Sequence, residues 1–234
     1  MVKTLAAVAA KPAEFRLRFQ GLLERAASAA AVEKLPFPGP YLTISREAES
    51  GGSEIACRVG EQLDWMVLDR ALVHDLARRL ELEPRLLELM DETKVGWFSE
   101  TVLNLFNSRL VLQDSYVSMI SRVIALAAFE GRTIIVGRGA NLVPLPDGGL
   151  RVRVIAPHAL RLAALAEREG LDRKAAGVQL DEIDASRADF VRRHFHADPR
   201  DATYYDLVID SACFGLSGSA DLIYRALELR GLIE

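Results

Sequence analysis

Cysteine is scarce in this chain of 234 residues, which contains only Cys57 and Cys213. The two stand far apart and show no spacing typical of metal ligands, so we interpret both as small, buried hydrophobic residues. Unpaired cysteines fit a reducing compartment, and we therefore predict a cytoplasmic protein. The chain also has no apolar stretch long enough to cross a membrane without charges, so we expect a soluble protein with no membrane partner.

Positive charge is not in excess either. The chain has 29 Lys and Arg residues against 33 Asp and Glu residues, a formal net charge of −4. We therefore predict no nucleic-acid partner bound through bulk positive charge, although arginines can still cluster locally. The chain does have 50% hydrophobic residues, which is enough for one large domain or for one domain with an insert.

We expect an N-terminal arm in residues 1–40 and a single domain in residues 41–234. The arm begins with an Ala-rich stretch in which apolar side chains stand among Arg and Glu, and this pattern predicts an amphipathic helix. A proline-rich linker at 36–40 ends that helix. Two interpretations stay open for the arm: it makes a homodimer, or it packs on its own domain.

A predicted strand, a glycine loop and a predicted helix follow one another from residue 41, where the sequence reads YLTISREAESGGSEIA. The helix is predicted because Ile55, Val59 and Leu63 recur at four-residue spacing. This layout is typical of a phosphate cradle, because successive backbone N–H groups and the helix dipole attract an anion. The alternative is a tight strand-to-helix turn that happens to contain two glycines.

The same stretch matches the phosphate-loop pattern G-x-x-x-x-G-K-[ST] only in part. Gly51 and Ser53 fall on the last glycine and on the hydroxyl position. Arg46 stands at the first glycine, and Gly52 replaces the lysine. If the loop binds a nucleotide for catalysis, another cation must supply the charge of the missing lysine.

Residues 44–56, ISREAESGGSEIA, resemble the I-S-R-E-x-x-x-G-G-x-E-I-A signature of the cytidylate kinase-like family, a divergent branch of the P-loop nucleoside monophosphate kinases. The resemblance extends to the C-terminus. It implies a three-layer α/β fold with a five-stranded parallel sheet, a helical insert at about 83–130 and a lid at about 170–197. It also implies ATP and Mg²⁺ as cofactors, and phosphoryl transfer to a nucleoside monophosphate or another small phosphorylated substrate. The residues that would bind ATP are Ser45, Ser50, Gly51, Gly52, Ser53 and Glu54.

A short buried strand is predicted at residues 65–69, and Asp69 ends it. Ligands of open parallel sheets lie at the carboxyl ends of the strands, so we expect Asp69 beside the phosphate loop. There it would hold Mg²⁺ together with Ser53. The resemblance adds that the family's second strand usually ends in Asp followed by a basic residue, here Arg70, and we assign both residues to the substrate site. Asp69 can also cap the predicted helix 71–80, because a cap leaves one carboxylate oxygen free.

The clearest pattern of a buried strand is RTIIVGRGA at residues 132–140. Arg138 follows the strand, and we expect it at the same edge as the loop, where a guanidinium can grip phosphate bidentately. Cytidylate kinases have a Gly-Arg pair at this place, and its Arg contacts the acceptor phosphate. They continue with Asp where this chain has Gly139, so the resemblance gives no firm prediction of cytosine specificity. In the alternative interpretation Arg138 pairs with a nearby carboxylate.

Apolar residues at helical spacing predict a final helix at 219–229. Two further strands are predicted, at 150–156 near the sheet edge and at 204–210. Between them, residues 172–196 mix arginines with acidic residues. The run DASRADFVRR at 184–193 is similar to the R-x-D-x-x-R arrangement in the lid of nucleoside monophosphate kinases, which implies catalytic roles for Arg187 and Arg192 and a substrate contact for Asp189. The alternative is a solvated helix with ion pairs along its surface.

Three functions are compatible with the sequence. The leading hypothesis is ATP-dependent phosphoryl transfer, with four arginines as the catalytic cations: Arg46, Arg138, Arg187 and Arg192. The second is a regulatory protein that binds nucleotides without catalysis, and the third is an oligomeric structural protein. The acidic and aromatic stretch at 91–98 is either an acceptor-binding surface or a solvated loop with its aromatic rings packed inward.

Overall fold

The structure, a computed structural model, describes three stretches of the chain: residues 39–81, 115–145 and 147–234. The predicted arm lies outside these stretches except for its last two residues. Most of the predicted helical insert lies outside them as well, including the acidic and aromatic stretch at 91–98.

Five parallel strands form one sheet in the order β2-β3-β1-β4-β5, which confirms the predicted five-stranded parallel sheet. The strands are β1 (Tyr41–Arg46), β2 (Met66–Leu68), β3 (Thr133–Val136), β4 (Gly149–Ile155) and β5 (Leu207–Asp210). Every residue of β3 is buried, as its run of β-branched side chains predicts. Because the strands are parallel, the loops that follow β1 and β3 emerge side by side at one edge of the sheet.

Helices cover both faces of this sheet and complete a three-layer α/β fold. They are α1 (Gly52–Leu63), α2 (Arg70–Glu81), α3 (Ser115–Glu130), α4 (His158–Glu169), α5 (Arg173–Phe195) and α6 (Ser211–Leu229). Helices α1 and α6 pack on one face, against residues such as Ile44 and Val152. Helices α2 and α3 pack on the other face, against Leu68 and Ile135.

Helices α4 and α5 pack against each other beside the sheet, and α5 lies within the stretch 170–197 that the resemblance assigns to a lid. Their shared apolar cluster consists of Leu162, Leu165, Ala176 and Leu180, and it also contains Ala48 from the loop after β1. The apolar contacts of the helix pair therefore fix it against the glycine loop.

The starts of β5 and α6 differ from the predictions, whereas β4 lies near the sheet edge as predicted, between β1 and the edge strand β5. Strand β5 begins at Leu207 because residues Ala202–Tyr204 form a 3-10 turn. Helix α6 begins at Ser211, directly after β5, and not near residue 219 as the apolar periodicity predicted. Gly215 breaks the regular helix with φ 65° and ψ 179°, which interrupts the pattern that marks a helix in the sequence.

The prediction that both cysteines are buried is wrong for Cys213, which is exposed in the first turn of α6, before the break at Gly215. Cys57, in α1, is half-buried. The helices of the described residues include none that is long and apolar enough to cross a membrane.

Candidate functional site

The glycine loop runs from the end of β1 to the first turn of α1. Gly51 takes the N-cap position with φ 75°, a conformation that favours glycine, and it has no side chain with which to cap the helix. The first N–H groups of α1 have no acceptor within the helix and point out of its N-terminus. The loop therefore has the backbone of an anion-binding site.

The hydroxyl groups of two serines connect the loop to neighbouring elements. The Ser50 hydroxyl donates to the carbonyl oxygens of Glu47 (3.0 Å) and Val154 (3.3 Å). The Ser211 hydroxyl, at the start of α6, donates to the Ser50 carbonyl at 2.7 Å and to the Ile155 carbonyl at 3.2 Å. The conformation of the loop is thus tied to β4 and to α6.

A cleft of about 460 Å³ opens in front of the loop. Its polar part comprises loop residues from Arg46 to Glu54 together with Arg168 and Arg187. Its apolar part consists of side chains from α4 and α6, among them Leu160, Ala164 and Leu216. A site with a polar end and an apolar wall suits a ligand that joins phosphate groups to a flat organic ring.

Arg46 places its guanidinium where the two neighbouring loops meet. A Cβ at Gly137 would overlap Arg46 Nη1, so the guanidinium lies directly against the loop after β3. Its Nε is buried, and no residue in the described part of the chain accepts a hydrogen bond from it. Burial, and after it the positive charges of Arg187 and Arg138, lower the pKa of Arg46 from its ordinary value to about 10. At neutral pH the side chain therefore still carries its charge.

Four arginines lie near enough to the guanidinium of Arg46, or are themselves near enough to one another, for their charges to interact: Arg46, Arg70, Arg138 and Arg187. Burial lowers the pKa of both Arg138 and Arg187, and the charge of Arg70 lowers each of them further. Arg70 also lowers the pKa of Arg46, whereas Asp69 raises it. Asp184 and Glu49 act in the opposite direction on Arg187, so the acidic groups offset part of the positive charge that would attract a phosphate group here.

Helix α5 brings one of its predicted arginines to the loop and leaves the other away from it. Arg187 Nη1 donates to the carbonyl oxygen of Arg46 at 3.2 Å. Arg192 pairs instead with Asp189 at 3.7 Å and with Asp198 at 3.8 Å, and Asp189 also pairs with Arg193. The helix is continuous, so two arginines five residues apart point in different directions.

The loop after β3 is also in contact with α5. The Arg138 guanidinium lies 5.0 Å from the centroid of the Phe190 ring, a cation–π contact. A Cβ at Gly139 would overlap the ring of Phe195. An aromatic ring thus fills the space beside the position where cytidylate kinases have an aspartate.

The remaining predicted residues are placed as follows. Asp69 Oδ1 accepts from the Leu72 N–H at 2.9 Å, so the cap exists and the second carboxylate oxygen is left over. Ser53 and Glu54 are exposed in the first turn of α1 and line the cleft. The Ser45 hydroxyl lies 3.4 Å from Arg153 Nη1, outside the lining of the cleft.

Three residues that contribute to the site were not predicted from the sequence. Asp184 accepts a hydrogen bond from the N–H of Ala48 at 2.8 Å, and Arg161 is buried behind the loop. Leu160 stands exposed at the apolar wall. No local pattern marks these residues, because each acts on a loop more than 100 positions away in the chain.

Clusters of acidic, cysteine or histidine side chains do not provide a metal site here. The described residues contain no group of three or more such side chains that could hold a metal ion. His158 is exposed and lies 3.2 Å from Asp181.

An uncapped glycine loop at the carboxyl edge of a parallel sheet, faced by arginines, places the molecule among α/β proteins of the P-loop kinase-like fold. Within that class, the chain belongs to the cytidylate kinase-like family, whose model matches residues 41–212.

Two known proteins are similar to this chain over much of its domain. A cytidylate kinase from Methanopyrus kandleri is 29% identical over 111 residues, which are 44% of this chain and 58% of that protein. The chain thus spans little more than half the length of this curated relative. The solved structure of an uncharacterized protein from Eubacterium ventriosum ATCC 27560 covers 81% of this chain and 98% of its own, with 17% identity and a TM-score of 0.62. This likeness shows a shared fold.

A shikimate kinase from Bacteroides thetaiotaomicron is a more distant structural match. It covers 81% of this chain and 98% of its own, with 14% identity and a TM-score of 0.43.

Proposed function

We propose that this protein transfers the terminal phosphoryl group of ATP to a nucleoside monophosphate or another small phosphate-bearing acceptor. The observation that carries the proposal is an uncapped glycine loop with Arg46 against the neighbouring loop and Arg187 bonded to the Arg46 carbonyl. Arg70 and Arg138 are near enough for their charges to act on Arg46. Phosphoryl transfer is mainly a matter of positioning and of stabilising spread-out negative charge, and both tasks suit such a cluster.

The donor nucleotide would lie in the cleft in front of the loop. Backbone N–H groups of Ser50, Gly51, Gly52, Ser53 and Glu54 would hold its phosphates, aided by the positive end of α1. Its base would lie on the apolar wall formed by Leu160, Ala164 and Leu216. Ser45 is turned toward Arg153 and has no contact with ATP in this arrangement.

Mg²⁺ would bind to the oxygen atoms of Ser53 and Asp69. The Ser53 hydroxyl is exposed at the start of α1, and Asp69 keeps one carboxylate oxygen outside its capping bond. Both are hard ligands of the kind that Mg²⁺ prefers alongside phosphate oxygens and water. When bound, the ion would neutralise part of the charge of the donor phosphates.

The arginines would divide the work on the transferred group. Arg46 would take over the charge of the missing lysine, Arg138 would hold the acceptor phosphate, and Arg187 would approach the donor from α5. An oxygen of the acceptor phosphate would attack the terminal phosphorus of ATP, and the bond to the leaving ADP would break. Arg192 and Asp189 would join the site only if α5 shifts. After such a shift Asp189, together with Arg70, would contact the acceptor.

The direct test is incubation of the pure protein with Mg-ATP and a panel of nucleoside monophosphates, followed by quantification of ADP and of the phosphorylated product. We expect one or a few acceptors to be turned over, and we expect Arg46→Met to abolish turnover. ATP binding without turnover of any acceptor would contradict the proposal and favour the regulatory protein. No ATP binding at all would contradict both.

The proposed metal ligand gives a second test. We expect Ser53→Ala to weaken the binding of Mg-ATP at least tenfold and the binding of metal-free ATP much less, because only a metal ligand distinguishes the two. Calorimetry with and without Mg²⁺ measures both affinities. Ser217→Ala, which removes an exposed hydroxyl on α6, is the control. An equal loss under both conditions would instead make Ser53 part of the cradle's structure.

A further inference from the structure

One pair of charged side chains, Asp184 and Arg161, forms hydrogen bonds with both the N–H and the carbonyl group of Ala48. Asp184 Oδ1 accepts from the Ala48 N–H at 2.8 Å, and Arg161 Nη1 donates to the Ala48 carbonyl oxygen at 3.2 Å. The two side chains also bind each other, with Arg161 Nη1 2.5 Å from Asp184 Oδ2. Asp184 belongs to α5 and Arg161 to α4, so this arrangement, the Ala48 clamp, joins both helices to the loop.

Two members of the clamp are buried, and the third, Asp184, keeps 28% of its side chain exposed. Ala48 is 1% exposed and Arg161 is 6% exposed. Besides Asp184, the Arg161 guanidinium reaches the Ala156 carbonyl oxygen at 3.0 Å and Glu47 Oε2 at 3.4 Å. Without Asp184, Arg161 would keep only the longer ionic contact with Glu47, and the Ala48 N–H would lose its acceptor, so the contact is costly to break. The clamp therefore fixes the distance between α5 and the loop.

The same helix holds the loop again one turn later. Arg187, three residues after Asp184, donates to the carbonyl oxygen of Arg46 at 3.2 Å. Residues three apart lie on the same side of a helix, so Asp184 and Arg187 face the loop together. The position of the Arg187 guanidinium in the cleft is consequently set by the contact that Asp184 makes with Ala48.

We propose that Asp184 is a positioning residue that docks α5 on the phosphate loop and so places Arg187 at the donor phosphates, without touching the substrate itself. The assignment rests on the proposed function for its catalytic consequence. The docking can be tested without any activity.

Hydrogen exchange tests the docking directly. In Asp184→Ala we expect exchange of the Ala48 amide and of the amides in the C-terminal half of α5 to rise about tenfold or more, with α1 and the strands unchanged. Asp184→Asn, which keeps an oxygen acceptor for the Ala48 N–H, should show a smaller rise. Asp181→Ala is the matched control, one turn earlier on α5 at an exposed site. Unchanged exchange in Asp184→Ala would overturn the proposal, and Asp184→Asn decides the question if the alanine variant does not fold.

A double-mutant cycle tests the route to catalysis. We expect Asp184→Ala and Arg187→Ala each to lower kcat about tenfold or more while changing the KM for ATP less than about threefold. Because Asp184 acts through Arg187, the double variant should be nearly as active as Arg187→Ala alone. Multiplied losses in the double variant would overturn the proposal. If the wild type turns over no acceptor, the proposed function fails, and the exchange experiment alone decides whether Asp184 docks the helix.

Discussion

Arg46 occupies the space that a lysine side chain would need at position 52, where the phosphate-loop pattern has lysine and this chain has Gly52. A Cβ at Gly52 would lie 2.6 Å from the Cβ of Arg46 and 3.3 Å from the Cβ of Val154, so a larger residue does not fit without a shift. On its far side, the guanidinium uses the space left open by Gly137. Two glycines from neighbouring loops thus make room for one arginine, and the missing lysine and the unusual arginine are parts of one arrangement.

The charge of Arg46 should favour anion binding at a cost to the stability of the free protein. Its folded pKa of about 10 lies below the ordinary value of an arginine, so the fold disfavours its protonated form. This cost is complete below about pH 10 and declines as the pH rises toward the ordinary pKa. A bound anion relieves it by supplying opposite charge.

We therefore expect Arg46→Met, which keeps most of the side-chain volume, to melt at the same temperature as the wild type or higher near neutral pH. The rise in melting temperature caused by tripolyphosphate should fall to less than about half. Thermal melts with and without the anion measure both effects. Arg225→Met, at an exposed arginine paired with Glu228, is the control. An undiminished anion effect in Arg46→Met would show that its charge does not face the phosphate site.

Gly51 should be needed for both its conformation and its lack of a side chain. Its φ of 75° is costly for other residues, and a Cβ would overlap Leu216 Cδ2. We expect Gly51→Ala to reduce ATP affinity at least tenfold, measured by calorimetry. Gly177→Ala is the control, because that glycine lies inside α5 with 3.8 Å to the nearest atom and should gain about 0.5–1 kcal/mol in stability. Unchanged ATP binding by Gly51→Ala would contradict the cradle.

The sequence could predict residues of the candidate site that a local pattern or the end of a parallel strand marks, and it could not predict those that depend on how helices pack over the loop. Gly51 and Ser53 are recognisable because a strand, a loop and a helix start stand in order around them. Arg138 is recognisable because parallel strands end at one edge. The clamp formed by Asp184 and Arg161 depends on how α4 and α5 pack over the loop, and no local pattern encodes that packing.

Helix α6 shows at the scale of an element why boundaries were harder to predict than the elements themselves. Asp210 caps its first turn by accepting from the Ala212 N–H at 2.9 Å, and Ser211 ties that turn to the loop. Gly215 then interrupts the helix, and the regular apolar spacing begins only after it. The break separates a short turn that serves the site from a longer segment that packs on the sheet.

The break at Gly215 should be intolerant of any side chain although space is available. Its φ of 65° and ψ of 179° belong to a region that only glycine adopts readily, while nothing lies within 4 Å of a Cβ there. We expect Gly215→Ala to lower the free energy of unfolding by about 1–3 kcal/mol in urea titrations. Gly218→Ala, three residues later in the same helix, should be neutral or stabilising, because its φ is not positive and its nearest contact is 3.4 Å. Equal effects of the two substitutions would mean that the kink is not required.

At the scale of the whole molecule, α5 connects the two loops that the proposed reaction uses. The adjacency of β1 and β3 brings the phosphate loop beside the loop that contains Arg138. Helix α5 then contacts the first loop through Asp184 and the second through the rings of Phe190 and Phe195. A single rigid element that touches both sites gives a physical route by which binding at one affects the other.

The two substrates should therefore bind cooperatively. An ATP analogue that cannot be hydrolysed would strengthen the contacts of α5 with the phosphate loop, and the same helix would then hold Phe190 more firmly beneath Arg138. We expect the analogue to raise the affinity for the best acceptor of the panel about fivefold, and the acceptor to raise the affinity for the analogue by the same factor. Calorimetric titrations of each ligand, with and without the other, measure both factors. Phe190→Leu should reduce the coupling below about twofold while leaving the affinity for the analogue alone unchanged, because it removes only the contact with the acceptor loop. Equal affinities with and without the second ligand in the wild type would show that α5 does not connect the sites.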